Sequence, residues 1–233
     1  MASSTTTAGT ATTARHIAAR PLPFPIDPTA CALLVIDMQH DFLSPGGWID
    51  TLGMDVALLK PAAMEVEFAL RAARQAGLAV LHTQEGYAPD LSDYPQYKRD
   101  RSPINPGDEG AHGRYMIRGE HGHSFVAPYR PLPGETVFQK AGAGAFSLSD
   151  IEEELRARGI RQLVVCGVTI DCCVLATLYE ANDRGFECLL LGDATGCYSA
   201  QTTASVIAML EVGVIACVAH TGDFVSALET VRL

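Results

Sequence analysis

The stretch VVCGVTIDCCVLATLYEANDRGFECLLLGDATG, residues 164–196, sets two apolar strands on either side of one helix. Its continuous Val and Leu runs predict buried strands over 162–168 and 187–191. Between them, an amphipathic segment predicts a helix over 171–184, which Gly185 closes. Strands that alternate with helices in this way are typical of a mostly parallel sheet.

The same alternation runs along almost the whole chain. Further strands are predicted over 31–37, 78–83, 135–140 and 214–219, and further helices over 56–75, 150–158 and 200–210, with a last helix capped by Asp223. The fold class is therefore α/β, with helices on both faces of the sheet. The 233 residues are enough for one such domain, which we place at 21–233.

The composition narrows the possible functions. Binding of a phosphate backbone needs a basic face, which a net charge of −10 disfavours, so we expect no nucleic-acid partner. No apolar run reaches the length of a membrane span, so we expect no membrane partner.

Residues 1–20 are predicted to be a disordered tail, because residues 1–14 are rich in Ser, Thr and Ala and lack the features of a secretory signal. The seven cysteines fit no zinc spacing and lie mostly in apolar runs, which favours free thiols in the cytoplasm.

One long connection, residues 86–134, interrupts the alternation. A connection of this length inside a compact domain is either disordered or functional. This one is rich in tyrosine and arginine, which favours an ordered cover over a site. The residues concerned are Tyr87, Tyr94, Tyr97, Tyr115, Tyr129, Arg99, Arg101, Arg114 and Arg118.

Reactive side chains stand at the carboxyl ends of the predicted strands. Asp37 ends the first strand, Gln84 and Glu85 follow the second, Lys140 ends the third, and residues 169–173 follow the fourth. These ends meet at one edge of a parallel sheet, which is where ligands bind. The sequence therefore brings a carboxylate, an ammonium and a thiol to one place.

Each of these groups also has a structural interpretation. Lys140 is one of only three lysines yet closes an apolar strand, where burial readily shifts a lysine pKa; a snorkelling strand-end lysine is the alternative. Asp37 ends an apolar run, which suits it to proton transfer, or it is merely a cap. Cys173 lies in the first turn of a predicted helix, which favours a thiolate, or it is simply a small buried hydrophobic residue. Position alone does not choose between Cys173 and Cys172.

At this point the chain resembles the isochorismatase-like cysteine hydrolases. The resemblance rests on ALLVIDMQHDF (32–42), on FQKAGAGAF (138–146) and on the 164–196 block. Together with the spacing between them, these segments cover nearly all of residues 31–220. The resemblance implies a three-layer α/β/α fold with a six-stranded, mostly parallel sheet.

The resemblance also implies a catalytic triad of Asp37, Lys140 and Cys173. The family nucleophile precedes a valine, which selects Cys173 over its neighbour. A cis peptide bond is implied between Val168 and Thr169. The backbone amides of Thr169 and Cys173 would then form the oxyanion hole.

A finer resemblance, to biuret and triuret hydrolases, rests on segments 82–102, 113–120 and 180–191. It implies that the chain cleaves a terminal C–N amide of a small, neutral linear ureide with water, releasing ammonia through a covalent Cys173 intermediate. The chain departs from the biuret-type HTREGH at Gln84 and Tyr87. Zinc-binding members of the family carry a ligand histidine where this chain has Tyr87, so we expect no metal and no cofactor.

Five side chains are candidate contacts for the substrate: Phe42, Phe146, Tyr198, Gln201 and Glu211. The two phenylalanines would pack against a planar substrate, although ordinary core aromatics are an equal alternative. Glu211 stands where a biuret-type glutamine is expected. The resemblance further implies a homo-oligomer, often a tetramer.

Several alternatives stay open. The substrate is alternatively another carbamoyl compound, such as ureidoacrylate or an N-carbamoyl amino acid. A vicinal-thiol redox sensor built on Cys172 and Cys173 is a different class of function. A nucleotide-binding dehydrogenase is disfavoured, because Ser147 stands where G-x-G-x-x-G needs its third glycine. A metal site at His121 and His123 lacks an evident third ligand.

Overall fold

The computed structural model of the chain describes residues 15–99, 101–147 and 149–229. Its strands are β1 (Arg15–Ile17), β2 (Phe24–Ile26), β3 (Cys31–Ile36), β4 (Ala79–Glu85), β5 (Glu109–Gly110), β6 (Gly113–Arg114), β7 (Thr136–Lys140), β8 (Gln162–Val168), β9 (Glu187–Gly196) and β10 (Cys217–Ala219). Its α-helices are α1 (His40–Leu43), α2 (Trp48–Thr51), α3 (Lys60–Ala76), α4 (Gln96–Arg99), α5 (Ile151–Ala157), α6 (Leu175–Asp183), α7 (Ala200–Leu210) and α8 (Thr221–Glu229). Two 3-10 segments, Val56–Leu59 and Ala127–Tyr129, and a π-helical turn, Ile170–Val174, complete these elements.

The main sheet has six strands in the order β10-β9-β8-β3-β4-β7, and every neighbouring pair is parallel. The predicted α/β fold with a six-stranded parallel sheet is thereby confirmed. From β3 the chain first adds β4 and β7 on one side, and then returns to place β8 on the other side. The carboxyl ends of β3 and β8 therefore flank the topological switch point, where a crevice opens in folds of this kind.

Both faces of the sheet are covered by helices, which explains the continuous apolar runs. Along β3, Leu33 and Val35 join one core with residues of α3 and α8. The alternate residues Leu34 and Ile36 join a second core with residues of α5 and α6. A strand buried on both faces needs no polar alternation, so its sequence is apolar throughout.

Two strand ends differ from the sequence predictions in a way that matters for the site. β4 continues to Glu85, two residues past its predicted end, because its pairing with β7 continues to the Glu85–Lys140 pair. β9 continues to Gly196 instead of residue 191, because its last residues pair with the end of β8 beyond a register shift. The last strand is shorter than predicted and begins only at Cys217.

Two helices in the C-terminal half of the chain begin at positions that differ from the predictions. The predicted helix 171–184 begins as the π-helical turn and becomes α-helical only at Leu175. The last helix begins at Thr221, whose backbone N–H and hydroxyl both donate to Asp193 Oδ1 at 2.8 Å. Asp223 therefore lies inside the first turn and is not the cap.

The predicted N-terminal tail of residues 1–20 is too long. Residues 1–14 lie outside the described residues, but β1 pairs with β2 in an antiparallel ribbon and Ile17 is fully buried in the core. Arg20 exchanges two backbone hydrogen bonds with Val218, at 2.8 and 2.9 Å. Residues 15–20 thus extend the fold beside β10, because their apolar and backbone groups find partners there.

The described part of the 86–134 connection packs on the segment that follows β3. Asp41 is fully buried, and its Oδ2 accepts the backbone N–H of Met116 at 2.8 Å. The backbone N–H groups of His40 and Asp41 donate to Ser124 and Gly122, at 3.0 and 2.8 Å. These contacts tie the connection to the carboxyl edge of the sheet.

Among the described helices, none combines the length and the apolar character that a membrane crossing requires.

Candidate active site

Asp37 and Lys140, the two strand-end residues singled out in the sequence, meet at the carboxyl edge of the sheet. Lys140 Nζ lies 2.8 Å from Asp37 Oδ2, and both side chains are fully buried. Asp37 follows β3 with φ at 49°, a left-handed conformation that few residues other than glycine adopt. Its Oδ1 accepts the hydroxyl of Thr83 from the neighbouring strand at 2.7 Å. The ion pair is therefore built from three adjacent strands.

Glu85 also lies in this cluster, although no role was predicted for it from the sequence. Its Oε2 is 2.9 Å from Lys140 Nζ and accepts the thiol of Cys173 at 3.1 Å. The apolar run of the second strand ends at Thr83, which is why the sequence placed Glu85 outside the strand. Its pairing opposite Lys140 in the ladder was visible only in the structure.

Cys173 lies in the π-helical turn after β8 and faces this cluster. Its side chain is buried in the core between the sheet and α6, whereas Cys172 is exposed. The peptide bond between Val168 and Thr169 is cis, as the resemblance implied. The structure thus brings Cys173, and not its neighbour, against Glu85.

The charges of the cluster are strongly coupled. Burial alone would lower the pKa of Lys140, but Asp37, Cys173 and Glu85 together raise it well above its ordinary value, so the ammonium stays charged. Burial alone would raise the pKa of Glu85, but the charge and hydrogen bond of Lys140 lower it. Burial, with the negative charge of Glu85, raises the pKa of Asp37 despite Lys140.

The thiol is protonated in this resting arrangement. The hydrogen bond with Cys172, burial and the negative charge of Glu85 raise the pKa of Cys173 well above the usual range of a thiol. Lys140 opposes this effect, but only in part. The site therefore holds a neutral thiol, one ammonium and two carboxyl groups.

The acidic and thiol groups of this cluster are also potential metal ligands. In the described part of the chain, Asp37, Glu85 and Cys173 are the only group of three or more such residues whose donor atoms all lie within 4.8 Å of one another. Lys140 already supplies a positive charge at their centre, 2.8 and 2.9 Å from the two carboxylates. The pair His121 and His123, considered as a metal site from the sequence, belongs to no such group among the described residues.

The five candidate substrate contacts fall into different places. Tyr198 donates its hydroxyl to the backbone oxygen of Phe42 at 3.0 Å, and its pKa is raised by burial and by the nearby Cys173. Phe146 shares a core with Cys173 and packs against Phe186, whose ring centroid is 5.6 Å away. Both phenylalanines are buried, as are the residues of the cluster itself, so their contact with a substrate stays a prediction.

The two α7 candidates lie at opposite ends of that helix. Gln201 is exposed in its first turn. Glu211 follows its last residue and pairs with Arg20 at 2.5 Å. An α-helix rises about 1.5 Å per residue, so Glu211 is roughly 16 Å from the start of α7. Glu211 thus has a partner on the N-terminal segment, and its contact with a substrate stays a prediction.

A second lysine reaches the neighbourhood of Glu85 from the 86–134 connection. Lys98 Nζ donates to the hydroxyl of the buried Tyr87 at 3.4 Å, and its charge contributes to the low pKa of Glu85. No carboxylate among the described residues lies within 4.0 Å of this ammonium. The charges of two of the chain's three lysines, Lys98 and Lys140, thus both lower the pKa of Glu85, which the sequence did not reveal.

Comparisons with known proteins agree with this geometry. The isochorismatase domain family matches residues 31–221. A protein of Caulobacter segnis named ureidoacrylate amidohydrolase RutB is 32% identical over 189 residues, which are 76% of this chain and 77% of that protein. An isochorismatase family protein from Desulfovibrio vulgaris superposes with a TM-score of 0.70 at 27% identity, covering 87% of this chain and 98% of that one. A cysteine hydrolase from Pseudomonas syringae shares the fold, with a TM-score of 0.79 at 19% identity over 94% of this chain and 100% of that one.

Proposed function

This chain belongs to the isochorismatase family, and from that premise we propose that it is a cysteine amidohydrolase that cleaves the terminal carbamoyl amide of a ureido compound. The observation that carries the proposal is the buried Cys173 thiol within 3.1 Å of a carboxylate that also contacts the ammonium of Lys140. A thiol needs such a base to become a nucleophile and a cation to stabilise the thiolate. A vicinal-thiol sensor would leave Asp37 and Lys140 without a role.

In the proposed reaction, Cys173 attacks the carbamoyl carbon while a neighbouring carboxylate accepts the thiol proton. The backbone amides of Thr169 and Cys173 are proposed to bind the oxygen that becomes negative. A donor of this kind is typically worth about 10²–10³ in rate. Ammonia then leaves, and water hydrolyses the covalent Cys173 intermediate. Asp37, Lys140 and Cys173 are the residues on which this reaction depends.

Among the possible substrates, we place an anionic ureido acid ahead of biuret or triuret. The 32%-identical relative is named for ureidoacrylate, a carbamoyl compound with a carboxylate. The ammonium of Lys98 stands near Glu85 without a carboxylate partner among the described residues, and so offers a counterion for such a group. Biuret and triuret are neutral and would leave this ammonium unused.

The test is a matched pair of cysteine variants. Ammonia release is assayed with ureidoacrylate, N-carbamoyl amino acids, biuret, triuret and nicotinamide as substrates. We expect turnover of the carbamoyl compounds, abolished in Cys173→Ser and mostly retained in Cys172→Ser. The reverse order of the two variants, or turnover of none of these compounds by the unaltered protein, would refute the proposal.

The homotetramer and the cytoplasmic location stay predictions. Light scattering, which measures the mass of the particle in solution, tests the homotetramer.

A further inference from the structure

The hydroxyl of Thr177, on α6, joins two parts of the site. It donates to the backbone oxygen of Cys173 at 2.7 Å, four residues back along the chain. It also accepts the backbone N–H of Ala145 at 3.2 Å, from the loop that follows β7. Both Thr177 and Ala145 are fully buried. One hydroxyl thus connects the turn that carries the thiol with residues 141–147, which we call the lysine loop.

The lysine loop supplies one of the three acceptors around the ammonium of Lys140. An ammonium has three N–H donors. Around Lys140 Nζ lie Asp37 Oδ2 at 2.8 Å, Glu85 Oε2 at 2.9 Å and the backbone oxygen of Gly142 at 2.8 Å. The first two acceptors are side chains at the ends of neighbouring strands, whereas Gly142 belongs to the loop. The position of the ammonium therefore depends on where the loop lies.

From these contacts we infer that Thr177 is a positioning residue, whose hydroxyl holds the lysine loop, and with it the ammonium of Lys140, at a fixed place relative to Cys173. The inference rests on the proposed hydrolysis. A cation stabilises a thiolate only while it stays close to the sulfur, because the attraction falls with distance. A side chain that bonds the main chain on both sides keeps that distance constant.

The contact with the loop distinguishes Thr177 from an ordinary helical threonine. A hydroxyl that bonds the carbonyl four residues back is common in helices and needs no function. The second contact of Thr177 leaves the helix and satisfies the buried N–H of Ala145. A buried N–H without an acceptor is costly. Loss of the hydroxyl should therefore shift the loop.

Glu180, three residues further along α6, holds the other end of the lysine loop. Its Oε2 accepts the backbone N–H of Phe146 at 2.8 Å, and its Oε1 accepts the hydroxyl of Ser147. A Cβ placed at Gly144 would overlap this carboxylate, so the loop passes directly against it. Residues three apart lie on the same face of a helix. Thr177 and Glu180 thus form one row on α6 that fixes the loop.

Displacement of the ammonium has an effect on the thiol whose direction can be measured. The hydrogen bond with Cys172, burial and Glu85 raise the pKa of Cys173, and the charge of Lys140 lowers it in part. When the ammonium moves away, the pKa of Cys173 rises further. The thiol should then react more slowly with an alkylating reagent, because less of it is ionised. A change that merely loosened α6 would expose the buried thiol and speed its labelling.

The experiment compares Thr177→Val, which keeps the shape without the hydroxyl, with Thr177→Ser, which keeps the hydroxyl. Both are made in a Cys172→Ser background, and iodoacetamide labelling of Cys173 is followed by mass spectrometry. For Thr177→Val we expect kcat to fall about tenfold with little change in KM, since a displacement near 1 Å can cost that much. Labelling at pH 8 should slow about threefold. Thr177→Ser should behave like the parent protein.

Two further variants separate an effect of the loop from an effect of the helix. Glu180→Ala releases the loop without removing a contact of Cys173, so it should also lower kcat and slow the labelling. Combined with Thr177→Val, its effect should be less than additive, because both act on one loop. Ser205→Ala removes a similar hydroxyl bond, to the backbone oxygen of Gln201 at 2.9 Å on the exposed side of α7, and should change neither value.

Three outcomes would overturn the assignment. They are a Thr177→Val enzyme within threefold of full kcat, unchanged or faster Cys173 labelling in that variant, and an equal loss in Thr177→Ser. If Thr177→Val does not fold, Glu180→Ala decides, and unchanged labelling there overturns the assignment as well. Labelling needs no substrate. If the unaltered protein hydrolyses no carbamoyl compound, the proposed function fails, while the labelling rates still decide whether Thr177 holds Lys140 in place beside Cys173.

Discussion

The side-chain amide of Gln39 hydrogen-bonds the main chain of Glu85 on both of its sides. Oε1 accepts the Glu85 N–H and Nε2 donates to the Glu85 C=O, each at 2.8 Å, and Nε2 also donates to the backbone oxygen of His123 at 3.0 Å. Gln39 is fully buried just after β3. It therefore links the strand that ends at Asp37 to the end of β4 and to the covering connection.

Gln39→Leu should lower kcat by more than its loss of folding stability would explain. The variant leaves the Glu85 main chain without its partners, so the carboxylate no longer keeps its position beside the thiol. We expect kcat to fall about tenfold or more, since displacements near 1 Å can cost that much. KM should change little, and labelling of Cys173 should show a shifted pH profile.

Gln96→Leu is the matched control, because Gln96 is exposed on α4. It should keep kcat within twofold of the unaltered enzyme. If Gln39→Leu does the same while remaining folded, Gln39 does not position Glu85.

Gly86 directly follows the site strand and has no room for a side chain. A Cβ built there would overlap the ring of the buried His123, with Nε2 at 2.7 Å, and would lie 3.2 Å from the backbone oxygen of Met116. Gly86→Ala should therefore destabilise the fold by about 1–3 kcal/mol, the usual range for overpacking. Urea unfolding at pH 7.5 measures the change.

Gly222→Ala is the control for that substitution. No atom lies within 4 Å of a Cβ placed there in α8, so the change should be neutral or stabilise by up to about 1 kcal/mol. Adding His123→Ala to Gly86→Ala should recover part of the lost stability, because the ring is the main obstacle. Equal destabilisation by Gly86→Ala and Gly222→Ala would contradict the steric explanation.

The alternation of strands and helices could be predicted because it follows from local apolar patterns. Asp37 and Lys140 were identified because each stands at a strand end, which a sequence shows directly. Cys173 was chosen over Cys172 only through the family resemblance, because position does not separate two adjacent cysteines. Glu85 was not assigned a role, because its importance depends on ladder register, which places it opposite Lys140. The ion pair of Glu211 could not be predicted either, because its partner, Arg20, comes from a segment predicted to be disordered.

The stability of the fold should decrease as the pH falls below 6.5, in part because of His123. Burial lowers the pKa of His123 from 6.5 to about 4, so the folded protein keeps this ring neutral while the unfolded chain takes up a proton. The stabilising contribution is complete above pH 6.5 and is lost between pH 6.5 and about 4. A shift of this size corresponds to roughly 3 kcal/mol.

Urea midpoints at several pH values between 8 and 4.5 test this. His123→Gln removes the titrating ring, so its stability should fall less steeply over that interval. His82, also buried and also with a lowered pKa, should give a similar effect in His82→Gln. His16→Gln, on the exposed side of β1, should keep the original slope. Parallel curves for all four proteins would show that the buried rings do not govern the acid sensitivity.

Lys98→Met should separate anionic from neutral substrates. The variant removes an ammonium that is held by the Tyr87 hydroxyl near Glu85 and has no carboxylate partner among the described residues within 4.0 Å. We expect KM for ureidoacrylate to rise about tenfold, as for the loss of one partly exposed ion pair. Steady-state ammonia release at constant ionic strength measures both substrates, and biuret should keep its KM because it carries no charge. Lys60→Met, at the exposed start of α3, should leave both values unchanged. An equal rise for biuret and ureidoacrylate would mean that Lys98 only stabilises the cover, and the preference for an anionic ureido acid would have to be abandoned.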